Sequence, residues 1–144
     1  MDYIQAVFAK RLNEHKQTLL NKNNNIKKNI IEHCKCELLV DFIKVTKQND
    51  DSLLLTFPDL KLQIVSQEKF AFNDNKEVAL QTSFYHDDEY IFSMAITHTG
   101  KVKFVDKFKE KHPDLDYDDT DIPLLLIHGI LSAAHRNGTT HLIE

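Results

Sequence analysis

The sequence predicts an α+β fold with an N-terminal helical arm, an antiparallel meander of five or six strands, and a buried C-terminal helix packed on the sheet. Three features of the 144-residue chain support this prediction. Apolar residues recur at three- and four-residue steps in the first quarter and alternate with polar residues through the middle. In the last quarter they occupy most positions of a segment that has helix-capping residues at both ends. The first spacing is typical of a helix, and the alternation is typical of a half-buried strand.

Residues 3 to 36 are predicted to be helical, with Asp2 as the N-cap. The asparagine-rich stretch 21–25 favours local turns, so one long helix and two helices with a break near Asn24 both remain open. In either case the apolar face needs a cover. The stripe consists of Ile4, Val7, Phe8, Leu12, His15, Leu19, Ile26, Ile30 and Cys34.

The middle of the chain predicts strands joined by short turns. Residues 38–46 are apolar on both faces, which is typical of a central strand. Half-buried strands follow at 52–57 and at 60–72, the second with a bulge near 66–69. Alternation continues in three more segments, and because short turns link consecutive strands, the sheet is predicted to be antiparallel. The three segments are 78–85, 90–96 and 102–108.

The last quarter predicts one complete helix. Thr120 or Asp121 can cap its first amide groups, Pro123 suits its first turn, and Gly138 can adopt the left-handed conformation that ends many helices. The segment between these ends is apolar on almost every side, so we expect it to be buried against the sheet or a partner. Residues 139–144 are expected to form a loose tail or a short edge strand.

Length and composition favour a single domain spanning residues 1–144. The net charge is only −4 and there are two arginines, so we expect no nucleic acid as a partner. No secretory signal is expected at the start of the sequence, and the longest apolar stretch, 122–134, is too short to span a membrane. Cys34 and Cys36 are expected to be reduced thiols, which suits a cytoplasmic location.

Two acidic segments are the predicted partner-binding residues. The run 114–121 has the first carboxylates of a calcium loop, but Asp119 replaces the required glycine and Leu125 the bidentate glutamate. We therefore expect these acids to be solvated and to contact another protein, which would be basic. The predicted partner-binding set is Asp87, Asp88, Glu89, Asp114, Asp116, Asp118 and Asp119.

The sequence contains no recognisable catalytic or metal-binding motif. His128 and His135 are seven residues apart, too far along one helix to share a metal ion, and no H-E-x-x-H or G-x-S-x-G is present. We expect no metal, no cofactor and no catalytic residue. The alternatives left open are a small-ligand pocket between the sheet and the C-terminal helix, in which His128 is the ligand contact, and a homodimer formed through the N-terminal arm.

In outline, the chain is similar to small cytosolic partner-binding proteins such as bacterial toxin-neutralising immunity proteins and secretion chaperones. The similarity lies in the order of the elements and includes no shared motif. It implies a non-enzymatic cytosolic protein-binding module, with an immunity-type toxin inhibitor as the specific form. The chaperone pattern places a helix among its strands, and no helix is expected between residues 37 and 108.

Overall fold

The computed structural model describes residues 2–73, 75–108, 112 and 114–138. Within these residues it contains two α-helices, seven strands and a short 3-10 turn at Pro58–Leu60. The helices are α1 (Tyr3–His33) and α2 (Ile122–Arg136). The strands are β1 (Lys44–Lys47), β2 (Leu53–Phe57), β3 (Leu62–Phe72), β4 (Val78–His86), β5 (Glu89–Thr97), β6 (Lys101–Asp106) and β7 (Leu115–Asp116).

The strands form one antiparallel sheet in which spatial order follows chain order from β1 to β7. The sheet curves into a half-barrel, α1 and α2 cover its inner face, and the fold is α+β, as the sequence predicts. The meander has one strand more than expected because β7, only two residues long, pairs with the start of β6. Apolar side chains from the inner face and both helices form one core.

Helix α1 is continuous through the asparagine-rich stretch. Asp2 caps it by accepting a hydrogen bond from the amide of Gln5, whose side chain in turn accepts one from the Asp2 amide. Asn23 and Lys27 lie inside the helix, only 1% and 2% exposed, among the residues that α1 buries against the sheet. Burial of one continuous face therefore outweighs the local preference of asparagine for turns.

Helix α2 packs on β5 and β6 through one face only. Asp121 occupies its N-cap without a side-chain hydrogen bond, and Gly138 follows its end with φ +77°. Leu124 and Leu125 lie on the outer face, 54% and 39% exposed. The helix is therefore buried along one side, with two leucines left at the surface.

The predicted central strand at 38–46 is wrong. Residues 34–42 form turns in which the amide of Ile43 donates to the carbonyl of Leu39 at 3.0 Å, and only Lys44–Lys47 is extended, at the edge of the sheet. A short apolar run has no clear period, so it suits a helical turn as well as a buried strand.

The predicted bulge in β3 is also wrong. The pairing of β3 with β4 continues without interruption from Val65 to Phe72. The irregularity lies instead between β4 and β5, where the register shifts at Phe84 and Tyr85. A shift there lets Ile91 join Phe92 in the core, and both are fully buried.

Candidate functional site: a lysine-rimmed groove at the sheet edge

The two acidic segments lie at opposite ends of the sheet. Asp87 and Asp88 form the turn between β4 and β5, whereas Asp116 lies in β7 beside Lys101, at the start of β6. Strand β4 has nine residues, so these ends are separated by about 30 Å. The structure therefore does not bring the predicted acidic residues together into one surface.

Ion pairs with lysines engage three of the seven predicted acids: Asp116 with Lys101, Asp114 with Lys103, and Glu89 with Lys107. Hydrogen bonding to Asp116 raises the pKa of Lys101, and hydrogen bonding to Lys107 lowers the pKa of Glu89. Asp87 lies 3.2 Å from His86 Nε2. Within the described residues, Asp88, Asp118 and Asp119 have no ion pair.

His128 lies at a small cavity between the sheet and α2. The cavity has a volume of about 60 Å³, which is room for a few water molecules and far less than an ordinary ligand pocket. His128 itself is exposed. His112 also lines the cavity, and its Nε2 is buried without a hydrogen-bond partner among the described residues. The sequence did not mark His112 because its neighbours carry no pattern.

Neither a metal-binding cluster nor a membrane-spanning helix is found in the part of the chain that the structure describes. No three side chains of His, Cys, Asp or Glu there are grouped so that they could hold a metal ion. Neither helix combines the length and the apolar character needed to cross a bilayer. Cys34 and Cys36 are both free thiols, the first buried and the second exposed.

An open groove lies between the C-terminal half of α1 and the edge strand β1. It consists of two cavities, of about 410 Å³ and about 260 Å³, which share Ile31. We call it the α1–β1 groove. Its lining residues are Asn24, Asn25, Lys27, Lys28, Ile31, Glu32, Cys34, Lys35, Val40, Ile43, Lys44, Val45, Thr46 and Lys47.

The floor of the α1–β1 groove is apolar. Cys34 and Ile43 are buried there, and Ile31 and Val45 are partly buried against the core. Val40 lies beside them and is 44% exposed. Burial raises the pKa of the Cys34 thiol to about 11, helped by neighbouring Cys36, so the floor carries no charge at neutral pH.

The rim of the α1–β1 groove is positively charged. Four exposed lysines stand along it, and Glu32 is the one acid among the lining residues. Glu32 lies 3.9 Å from Lys35, and Asp51, next to the groove, lies 3.4 Å from Lys47. The side chains of both pairs are largely exposed, so both pairs are weak. The four rim lysines are Lys28, Lys35, Lys44 and Lys47.

A fifth lysine at the base of the groove has its own partners. Lys27 is 2% exposed, and its Nζ donates to Glu68 Oε1 at 2.6 Å and to the carbonyl of Asp51 at 2.9 Å. Since Glu68 balances its charge, Lys27 stabilises the contact between α1 and β3. The rim lysines therefore provide the net positive charge of the groove.

The groove adjoins an open sheet edge. Strand β1 pairs with β2 on one side, from Lys44 opposite Thr56 to Lys47 opposite Leu53. On its other side no strand pairs with it within the described ranges. An unpaired edge offers backbone N–H and C=O groups to another chain. The sequence contained one signal of an edge strand: lysines at both ends of a short strand are typical of a sheet edge.

Known proteins offer no guide to this site. No protein-family model matches the chain, and the searches of curated proteins and of solved structures found no significant match. The function has to be inferred from the geometry of the chain itself.

Proposed function

We propose that this chain is a non-enzymatic protein-binding module that holds its partner in the α1–β1 groove. This proposal rests on one observation: the apolar floor of the groove lies directly beside an open strand edge. Apolar side chains supply binding free energy when they leave water, and a free edge supplies backbone hydrogen bonds. Few surfaces of a monomer provide both.

The shape of the groove supports a polypeptide rather than a small molecule as the occupant. It is open along its length, whereas small-ligand sites enclose most of the ligand surface. Leu38, in the turns before β1 and two residues from Val40 of the groove, is a large apolar side chain that is 91% exposed. A cytoplasmic location is part of the proposal, and the free thiols of Cys34 and Cys36 support it.

The test is affinity capture of the tagged chain from its native lysate, compared between Val40→Arg and Val105→Arg. Val40 lines the groove and is 44% exposed, while Val105 lies on the outer face of β6 and is 43% exposed. We expect one stoichiometric protein that is lost with Val40→Arg and retained with Val105→Arg. Equal capture by both variants, or no partner with the unmodified chain, would overturn the proposal.

A second form of protein binding is an immunity-type inhibitor that neutralises a basic toxin through its acidic segments. Asp88 and Asp118 support it, because both are exposed and neither has an ion pair within the described residues. Such charges speed association with a basic protein. The two segments lie at opposite ends of the sheet, so each would act as a separate contact.

A further inference from the structure

We infer that the occupant of the α1–β1 groove is an extended segment of another protein, with alternating apolar and acidic residues, that adds as a strand to the open edge of β1. This inference rests on the proposed function and specifies the partner's chemistry. It combines three observations: the orientation of the β1 side chains, the unpaired backbone of that strand, and the charge of the rim.

Strand β1 sets which side chains of an added strand reach the groove. Val45 lies opposite Leu55, which is fully buried, so Val45 points to the inner face, towards α1. Lys44 and Thr46 point to the outer face, because successive side chains of a strand alternate. A strand added beside β1 continues both faces. Every second side chain of the partner therefore lies over the apolar floor near Ile31, and the others lie beside Lys44.

The backbone of β1 makes an extended partner favourable. Since alternate residues of a strand direct their N–H and C=O groups to opposite edges, two of the four residues of β1 present unpaired groups along its outer edge. A partner strand would pair with these groups while its alternate side chains fill the floor, which is how β-strand addition combines affinity with specificity. A helix in the same groove would bury its apolar face but leave the edge of β1 unpaired.

The rim charge selects an acidic partner. Lys28 and Lys35 lie on the α1 side of the groove, and Lys44 and Lys47 on the β1 side. Two acids lie near them, Glu32 beside Lys35 and Asp51 beside Lys47, which leaves two more lysines than acids. Carboxylates on the partner's outer face would lie beside Lys44 and in the positive field of the other rim lysines, whereas lysines or arginines in the same positions would be repelled. The groove is positive although the chain as a whole has a net charge of −4.

The same charges disfavour a second copy of this chain as the occupant. In an antiparallel pair of two β1 strands, side chains that face each other share a face of the sheet, so Lys47 of each copy would stand opposite Val45 of the other and the two Lys47 side chains would be diagonal neighbours. Like charges this close repel, and lysines on edge strands protect against self-association for this reason. An acidic strand would instead bring carboxylates beside the lysines of β1.

The test measures binding of labelled eight-residue peptides by fluorescence anisotropy. The first peptide alternates glutamate with valine or isoleucine, the second has lysine in place of glutamate, and the third is the first with methyl groups on alternate amide nitrogens. We expect binding of the first peptide only. The methyl groups remove the backbone donors that pairing with β1 requires, and lysine reverses the charge.

Two variants locate the binding site. Lys28→Glu/Lys44→Glu should weaken binding of the acidic peptide about tenfold, since two positive charges of the rim become negative. Lys10→Glu/Lys69→Glu makes the same charge change at exposed positions outside the groove and should leave affinity unchanged. Circular dichroism of both variants checks that each is folded.

Each of the remaining outcomes contradicts one part of the inference or the proposed function itself. Preferential binding of the lysine peptide overturns the acidic partner, and undiminished binding of the methylated peptide overturns strand addition. If no peptide binds while Val40→Arg still abolishes capture of a protein, the inference fails and the proposed function stands. If Val40→Arg leaves that capture intact, the proposed function fails.

Discussion

The ring of Phe92 packs so closely against Gly129 that a β-carbon on the glycine would lie 2.5 Å from Phe92 Cζ. Phe92 is in β5 and fully buried, and its ring also contacts Phe104, with ring centroids 5.7 Å apart. A glycine inside a helix is unfavourable on its own, so Gly129 is explained by packing. This contact sets how near α2 approaches the sheet.

Gly129→Ala should destabilise the protein by up to about 2 kcal/mol. Alanine improves helix propensity by roughly 1 kcal/mol, but overpacking a core costs about 1–3 kcal/mol, and a β-carbon 2.5 Å from Phe92 Cζ forces the ring to shift. Chemical denaturation measures the change. Ser132→Ala, at an exposed position of the same helix, should stay within about 0.5 kcal/mol of the unmodified protein. A Gly129→Ala protein of higher stability would contradict the packing explanation.

Lys27→Met should destabilise the protein by about 2–3 kcal/mol, because it leaves Glu68 without the lysine that lies 2.6 Å away. Adding Glu68→Gln to Lys27→Met should recover part of the loss, since the remaining carboxylate charge is then removed. Thermal unfolding of Lys27→Met, Glu68→Gln and the double variant, each compared with the unmodified protein, completes a double-mutant cycle. The cycle measures the interaction free energy of the pair.

Lys101→Met is the control for the buried pair. The Lys101–Asp116 pair has a similar distance of 2.6 Å, but its side chains are 54% and 65% exposed, so its loss should change little. If Lys27→Met and Lys101→Met lower the free energy of unfolding equally, burial of Lys27 does not strengthen its ion pair.

Iodoacetamide at pH 8 should modify Cys36 well before Cys34. Cys36 is exposed, whereas Cys34 is 4% exposed and burial raises its pKa to about 11, which leaves about one thiolate in a thousand. Peptide mass spectrometry separates the two sites. Equal rates would show that the end of α1 opens faster than the reagent reacts.

The raised pKa of Cys34 also predicts a pH dependence of stability. The folded state holds its proton up to about 11 and the unfolded state up to 9.0, so stability is complete below pH 9 and falls as pH rises through 11. Between pH 9 and 11 the free energy of unfolding falls by an amount on the order of 2 kcal/mol. Denaturation of Cys34→Ala between pH 9 and 11 should show a smaller decline, and an equal decline would assign it to other groups.

Neutralising the acids separates the two forms of protein binding. Changing Asp116, Asp118 and Asp119 together to Asn should not slow association of the captured partner if that partner is acidic, and should slow it, most strongly at low salt, if the partner is basic. We expect the first result by surface plasmon resonance. Asp87→Asn/Asp88→Asn tests the other end of the sheet, and a slower rate with either variant would favour the acidic segments.

The candidate site was not predicted from the sequence, although the sequence carries one signal of it. The alternating pattern indicated a half-buried sheet, and Lys44 and Lys47 at the ends of a short strand are typical of an edge. The groove itself was not visible, because Ile31 and Val45 approach each other only when α1 crosses the inner face of the sheet. Residues 38–46 were misassigned to a central strand, which hid the open edge.

What the sequence determined by itself is local. Apolar spacing within a few residues specified both helices and most strands, Asp2 and Gly138 marked helix ends, and short links imposed the antiparallel meander. The tertiary structure decided what depends on distant residues. It kept α1 continuous by burying Leu19 and Ile26 on either side of the asparagines and by joining Lys27 to Glu68, 41 positions away, because only the folded sheet brings these groups together.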